Sequence, residues 1–224
     1  MKYEIKELCG LNCVIRYPKD FTKTKKYPVI LFLHGAGSRG NDINVLRNNP
    51  YFTITEKHKD FPFISVAPQC NKDNWFMLMH VLQEIVYKLV KTDFTDTERI
   101  YAVGPSMGGY AVWQLAMNMP HAFAAIIPIC GGGMYWNVRR LMGTSVWAFH
   151  GDSDTAVYPE ESVKMVKKIN DVGGNAKLTV YKNTGHDSWS ETYSDYNVFE
   201  WLLSCKNAYV ENGENIFDDS KIYG

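Results

Sequence analysis

A serine lies between two glycines in the segment Gly104-Pro105-Ser106-Met107-Gly108, directly after a short apolar run. This GxSxG pattern is typical of a serine on a tight turn between a strand and a helix, where there is no room for side chains two residues to either side. The segment 109–119 has the composition of a helix and ends before Pro120. Because the N-terminus of such a helix faces a developing oxyanion, the pattern predicts that Ser106 is a nucleophile.

Two later segments contain the base and the acid that a serine nucleophile needs. A hydroxyl group requires an imidazole to take its proton, and the imidazole requires a carboxylate to fix its tautomer. Asp154 follows a predicted strand at 145–149, and His186 follows another at 176–181. Ligand sites in open parallel sheets form where strands end, and the order Ser, Asp, His is the one expected after this type of turn.

Two other aspartates compete for the role of the acid. Asp152 is more typical of a carboxylate that stabilises its own turn, and Asp187, which is adjacent to His186, of one that caps a loop. His34 is interpreted as supporting the shape of its own HGxG loop. The remaining histidines have no comparable set of partners and are interpreted as structural or solvated: His58, His80, His121 and His150. No cluster has the spacing of a zinc site, so the sequence predicts neither a metal nor a cofactor.

The segment His34-Gly35-Ala36-Gly37 follows an apolar run at 28–33 that is long enough for a central strand. Glycines there allow the backbone to turn close to a substrate and present an N–H group to it. A glycine turn without a ligand has the same composition. The position upstream of the GxSxG segment favours an oxyanion loop.

Five ordered segments together resemble the α/β-hydrolase superfamily: LHGAGSRG at 33–40, VAPQC at 66–70, GPSMGGY at 104–110, HGDSDTAVYPEES at 150–162 and TGHDSW at 184–189. Within that superfamily the chain is similar to small esterases that group with dienelactone hydrolases, phospholipase/carboxylesterases and feruloyl or polyhydroxybutyrate esterase-like proteins. The resemblance extends over about residues 28–204. Several matches in the same order are far more specific than any single motif.

The resemblance implies a role for each matching residue. It makes Ser106 the nucleophile, His186 the base and, through the pattern HGxxD, Asp154 the acid. It assigns the oxyanion hole to the backbone N–H groups of Ala36 and Met107. It also implies an α/β fold with a doubly wound, mostly parallel sheet.

The periodicity of the sequence agrees with that fold. An N-terminal antiparallel hairpin is predicted at 2–17 with its turn at Cys9-Gly10, and little sequence remains for a large lid. Strands are predicted at 28–33, 63–67, 99–103, 125–129, 146–149 and 178–181, and helices at 75–92, 109–119, 160–171 and 197–204. This alternation favours a parallel sheet covered on both faces.

Composition favours one enzyme domain at 1–224, with an extended tail at 206–224. Lys plus Arg and Asp plus Glu both number 24, so no net charge attracts nucleic acid or a membrane. The first residues alternate polar and apolar types rather than forming a signal peptide, which predicts a cytoplasmic protein. Five scattered cysteines are interpreted as reduced thiols.

The predicted function is a serine carboxylester hydrolase whose partner is a small-molecule ester. Trp75, Trp136 and Trp189 are predicted to line an aromatic cleft, which favours short or aromatic acyl groups such as acetyl or hydroxycinnamoyl groups on plant carbohydrate. A serine peptidase of the prolyl-oligopeptidase type shares the fold, but no propeller domain and no acidic pair for a peptide amino terminus is evident. A non-catalytic binding protein of this fold would need an incomplete triad.

Overall fold

The computed structural model describes residues 2–211, which form one eight-stranded sheet with helices on both faces. The strands are β1 (Lys2–Leu8), β2 (Leu11–Tyr17), β3 (Tyr27–Phe32), β4 (Ile64–Pro68), β5 (Thr95–Pro105), β6 (Ala125–Ile129), β7 (Ser145–Gly151) and β8 (Ala176–Tyr181). The helices are α1 (Ile43–Arg47), α2 (Pro50–Thr55), α3 (Met79–Val90), α4 (Met107–Asn118), α5 (Glu160–Asp171), α6 (Trp189–Ser194), α7 (Tyr196–Ser204) and α8 (Ala208–Glu211). Three 3₁₀ segments cover Ala36–Ser38, Trp75–Leu78 and Tyr135–Leu141.

The strands are arranged in the order β1-β2-β4-β3-β5-β6-β7-β8. β1 pairs antiparallel with β2, and β2 pairs antiparallel with β4, whereas every pairing from β4 through β8 is parallel. The predicted hairpin and the mostly parallel doubly wound sheet are therefore confirmed. The carboxyl ends of β3, β5, β7 and β8 meet at one edge, where the predicted site segments follow them.

The core has two halves, one on each face of the sheet. Val29 and Leu31 of β3 face the half that packs against α3, α4 and α5, whereas Ile30 and Phe32 face the half that packs against α2, α6 and α7. Side chains alternate across a strand, so a central strand with both faces covered must be apolar at every position. This requirement explains the unbroken apolar run that precedes His34.

Short helices account for most differences from the predicted elements. The predicted helix at 75–92 begins with the 3₁₀ segment Trp75–Leu78, which Asn74 caps by accepting a hydrogen bond from the N–H of Phe76. The helices α1, α2 and α6 span only five or six residues each, too few for an apolar period to be visible. β5 begins at Thr95, four residues before its predicted start at 99.

The C-terminal segment is anchored as far as the structure describes it. Asn207 donates a side-chain hydrogen bond to the carbonyl of His121 and a backbone one to Glu98, and α8 follows directly. Residues 206–211, the start of the predicted tail, are thus bound to the domain and end in a helix. Residues 212–224 lie outside the described residues.

Two further expectations concern the whole chain. All five cysteines are free thiols, in agreement with the prediction. Within residues 2–211, no helix combines the length and the apolar character that crossing a bilayer requires.

Candidate active site

Ser106 lies on a strained turn between β5 and α4. Its backbone has φ 54° and ψ −120°, which is rare for a residue other than glycine, and its N–H group donates to the carbonyl of Ile129 at 2.8 Å. A Cβ atom at Gly104 or Gly108 would lie 2.4 or 1.8 Å from the carbonyl oxygen of Leu33. The two glycines of the motif are therefore required by close backbone packing, and Ser106 is held at the sheet edge.

The structure brings Ser106, His186 and Asp154 into one line of hydrogen bonds. Nε2 of His186 lies 2.9 Å from Oγ of Ser106, and Nδ1 lies 2.7 Å from Oδ2 of Asp154. A carboxylate can only accept a hydrogen bond, so Nδ1 carries the imidazole proton and Nε2 is left to accept from the serine hydroxyl. The arrangement has the donor and acceptor order that proton transfer from a serine needs.

Asp154 is buried and held in place by the turn that follows it. Its Oδ1 accepts the backbone N–H groups of Ala156 at 2.9 Å and Val157 at 3.0 Å. Burial by itself raises the pKa of this carboxyl group, but the hydrogen bonds from His186 and from the two N–H groups outweigh it, so the net pKa lies below the ordinary value. Asp154 is therefore ionised at neutral pH.

The two competing aspartates lie elsewhere. Asp152 is exposed and accepts a hydrogen bond from the hydroxyl group of Ser153 at 2.7 Å. Asp187 accepts from the backbone N–H group and the hydroxyl group of Ser190, at 3.1 and 3.0 Å. Each carboxylate thus stabilises its own loop, as the sequence indicated.

Two residues near Ser106 begin helical segments: Ala36 lines the same cleft, and Met107 is the next residue in the chain. Ala36 is the first residue of the 3₁₀ segment that follows β3, and Met107 is the first residue of α4. The first N–H groups of a helical segment have no carbonyl within that segment to bind. Ala36 and Met107, the two residues predicted to form an oxyanion hole, are therefore placed to offer donors.

A buried network fixes the loop that carries Ala36. Nε2 of His34 accepts from the N–H of Cys70 at 3.0 Å, and Nδ1 donates to the carbonyl of Gly35 at 2.7 Å. Nε1 of Trp75 donates to the carbonyl of His34 at 2.9 Å. Burial lowers the pKa of His34 to about 4, so the ring is neutral at neutral pH and can accept the Cys70 hydrogen bond.

The cleft beside Ser106 has a volume of about 430 Å³. It is lined by Gly35, Ala36, Gly37, Ser38, Asn49, Pro50, Pro105, Ser106, His186 and Trp189. The ring of Trp189 stands edge-on to His186, with centroids 5.4 Å apart and an interplanar angle of 89°. Of the three predicted tryptophans, Trp189 thus lines the cleft.

The other two tryptophans do not line the cleft, contrary to the prediction. Trp75 is fully buried because its indole is committed to the network under His34, so it lines no part of the cleft. Trp136 is 68% exposed on the 3₁₀ segment Tyr135–Leu141, where its ring contacts Tyr135, and it is not a lining residue. An aromatic residue on a loop gives no sequence signal for the direction of its side chain.

Sequence analysis also missed residues that contribute to the site. Ser38 and Asn49 line the cleft, and Nδ2 of Asn49 donates to Oγ of Ser38 at 3.0 Å. Asn49 caps α2, and Pro50 is that helix's first residue, a start signal that could have revealed the helix. His150, which was interpreted as lacking a partner, contacts Asp154 with Nε2 at 3.3 Å from Oδ2.

Among residues 2–211, one trio of side chains could hold a metal ion. Single ligand atoms of Cys130, Asp154 and His186 lie within 4.8 Å of one another. Burial raises the pKa of Cys130 to about 12, so its sulfur is a neutral thiol at neutral pH and a poor ligand. Oδ2 of Asp154 and Nδ1 of His186 are instead joined by a hydrogen bond.

The segment Gly131-Gly132-Gly133 packs closely on α4 and α5. A Cβ atom at Gly131 would lie 2.8 Å from the backbone of Gly109, and one at Gly132 would lie 2.6 Å from the carboxylate of Glu161. The three glycines therefore allow this segment to lie close against α4 and α5.

Comparison with known proteins gives a consistent family. The model of the prolyl oligopeptidase family matches residues 79–135 and 133–207, which together exceed half of the chain. Dipeptidyl-peptidase 5 of Porphyromonas gingivalis is 30% identical over an alignment of 241 positions, and the match covers 86% of this chain and 33% of that protein. The chain thus spans about a third of the length of this curated relative.

Two solved structures share the fold. A thermostable esterase is 32% identical with a TM-score of 0.77, and the alignment covers 91% of this chain and 63% of that one. Est1E from Butyrivibrio proteoclasticus is 18% identical with a TM-score of 0.71, covering 91% and 98%, and has also been solved with ferulic acid bound. These likenesses agree with the superfamily that the ordered motifs indicated.

Proposed function

We propose that this chain, a member of the prolyl oligopeptidase family with the α/β-hydrolase fold, is a serine hydrolase. Its proposed reaction is carboxylester hydrolysis through an acyl-enzyme at Ser106. The observation that carries this proposal is the line of hydrogen bonds from Asp154 through His186 to Ser106 at the edge of an open cleft. A nucleophile, a base and an oriented acid are the groups that acyl transfer needs.

In the proposed first half-reaction, Oγ of Ser106 attacks the ester carbonyl carbon while its proton passes to Nε2 of His186. Asp154 stabilises the imidazolium that results. The carbonyl oxygen becomes negative and accepts hydrogen bonds from the N–H groups of Ala36 and Met107. When the tetrahedral intermediate collapses, His186 returns the proton to the leaving alcohol, and the acyl group stays on Ser106.

In the second half-reaction, water takes the place of the alcohol. His186 removes a proton from the water as its oxygen attacks the acyl carbon, and the same N–H groups stabilise the second oxyanion. The proton then passes from His186 to Oγ of Ser106, and the carboxylic acid leaves. No cofactor is needed for either step.

The dimensions of the cleft support short or aromatic acyl groups. Trp189 supplies an aromatic wall, and glycine and proline residues make up much of the rest. Aromatic walls favour planar groups, and a cleft of about 430 Å³ is within the range of small-molecule sites. The likeness to a thermostable esterase over 91% of the chain supports the same reaction class.

A peptidase activity is the second candidate, because the family match and dipeptidyl-peptidase 5 of Porphyromonas gingivalis favour it. The catalytic groups would be the same. Amide hydrolysis would additionally require His186 to protonate an amine leaving group and the protein to bind the peptide amino terminus. Substrate turnover distinguishes the two candidates.

The experiment combines active-site labelling with a substrate panel. A fluorophosphonate probe should label the parent and leave Ser106→Ala unlabelled, and Ser153→Ala, which changes an exposed serine, should label normally. Ester hydrolysis by Ser106→Ala should fall by several powers of ten with folding intact, because only binding and oxyanion stabilisation remain. Hydrolysis within about tenfold of the parent would remove Ser106 from the mechanism.

The panel pairs p-nitrophenyl and methyl esters with dipeptidyl p-nitroanilides. We expect kcat/KM to be measurable for the esters and negligible for the anilides. The opposite ranking would establish the peptidase candidate, and labelling of Ser106 with no turnover of either class would contradict both substrate proposals.

A further inference from the structure

His150, the penultimate residue of β7, contacts the carboxylate of Asp154. Its ring is fully buried, with Nε2 2.9 Å from the carbonyl oxygen of Val157 and 3.3 Å from Oδ2 of Asp154. The other nitrogen, Nδ1, lies 2.7 Å from Oγ of Ser162 on α5. Every polar atom of this imidazole therefore has a partner.

The proton on Nε2 follows from two of those partners. The carbonyl of Val157 and the carboxylate of Asp154 can only accept, so Nε2 of His150 carries a proton and donates to both. Oδ2 of Asp154 is also the oxygen that accepts from Nδ1 of His186. Two imidazoles thus donate to the same carboxylate oxygen.

The turn after Asp154 is held from two sides. The N–H of Val157 donates to Oδ1 of Asp154, and the carbonyl of Val157 accepts from His150. Ser162 extends the network, because its hydroxyl lies 2.7 Å from Nδ1 of His150 and 3.0 Å from the carbonyl of Gly131. Rotation of the Asp154 carboxylate would break several buried hydrogen bonds at once, which is costly.

We infer that His150 is a positioning residue that fixes the rotation of the Asp154 carboxylate, and through it the tautomer and the direction of the His186 ring. This inference rests on the proposed function for its effect on turnover. Its effect on His186 does not depend on any substrate. Removing the His150 donor leaves Oδ1 of Asp154 bound to the N–H groups of Ala156 and Val157 but frees Oδ2 on one side. The carboxylate should then turn over a wider range, so that His186 loses part of its preference for a proton on Nδ1.

The test compares three substitutions at His150. His150→Phe keeps a planar ring and removes both polar atoms. His150→Gln places an amide N–H where ring Nε2 donates to Val157 and Asp154. His150→Asn reaches only the position of Nδ1 and so keeps the Ser162 contact alone. His58→Phe is the matched control, since His58 binds the carbonyl of Tyr193 at 2.7 Å outside this network.

Two readouts are needed. The ¹⁵N NMR shifts of the His186 ring nitrogens report which nitrogen carries the proton, and ester kinetics separate kcat from KM. For His150→Phe we expect mixed tautomers of His186 and a kcat lower by ~10- to 100-fold, the usual effect of losing a partner of a functional residue, with KM little changed. His150→Gln should retain the parent tautomer and a kcat within about threefold, because the donor is kept.

A folded His150→Phe variant with unchanged His186 shifts and parental kcat would overturn the inference. So would equal losses in His150→Phe and His150→Gln without any change in the His186 shifts, because that result indicates packing alone. If His150→Phe does not fold, His150→Asn and His150→Gln decide, and equal behaviour of these two counts against the inference. If the parent cleaves no ester, the proposed function fails, and the NMR comparison still decides this role.

Discussion

Replacement of Asp154 by asparagine tests the geometry of the site most directly. Oδ1 of Asp154 accepts the N–H groups of Ala156 and Val157, so the amide oxygen of asparagine must occupy that position. Its NH₂ group then faces Nδ1 of His186, where Oδ2 now accepts. Two donors cannot face each other, so the imidazole proton must move to Nε2, and His186 can no longer accept the proton of Ser106.

The size of the effect follows from that tautomer switch. We expect Asp154→Asn to lower kcat for p-nitrophenyl acetate by about 10⁴-fold, or about 5.5 kcal/mol in activation free energy. The control is Asp152→Asn, which changes an exposed carboxylate bound to Ser153 and should stay within about twofold of the parent. Circular dichroism and thermal unfolding establish that both variants fold. A folded Asp154→Asn enzyme with kcat within about tenfold of the parent, or a larger loss in Asp152→Asn, would refute the reasoning.

Three further outcomes are expected. Rates on p-nitrophenyl esters should not rise from acetate and butyrate to decanoate and palmitate, and methyl ferulate should be accepted. Methylenes beyond the cleft stay in water and forgo the gain of about 0.8 kcal/mol that burial of each would give. A maximum at palmitate would contradict the open cleft. Burial lowers the pKa of His34 to about 4 in the folded protein, whereas its pKa in the unfolded chain is near 6.5. The neutral ring therefore makes its full contribution to the free energy of unfolding above pH 6.5, and this contribution is lost as the pH falls towards 4. The parent should lose about 3 kcal/mol more unfolding free energy over that range than His34→Gln, and equal losses in urea titrations would contradict this. Gly108→Ala should fold poorly, because its Cβ would lie 1.8 Å from the carbonyl oxygen of Leu33; an unchanged Tm would show that β3 can shift away.

The parts of the site that follow strands could be predicted from the sequence. The positions of Ser106, Asp154 and His186 follow from apolar runs that end in polar turns, because parallel strands of one sheet end at the same edge. The fold class follows from the same alternation of strands and helices. These inferences need only local periodicity and the general rules of sheet topology.

Other features depend on contacts between distant segments and carry no local signal. Trp75 is buried because its indole reaches the carbonyl of His34, 41 residues earlier in the chain. His150 gains its role only when the turn at Asp154 folds back over it and α5 brings Ser162 against it. Residue type alone could not distinguish this histidine from a solvated one.

Backbone packing, more than side chains, determines how precisely the site is assembled. The carbonyl of Leu33 lies where side chains at Gly104 and Gly108 would be, so the end of β3 is pressed against the Ser106 turn. Ala36 and Met107, the proposed oxyanion donors, therefore lie on the two segments that this contact brings together. The cleft walls come instead from the short segments that contain Asn49 and Trp189. An esterase and a dipeptidyl-peptidase can share such a backbone frame, because the substrate contacts lie on segments that can change without disturbing it.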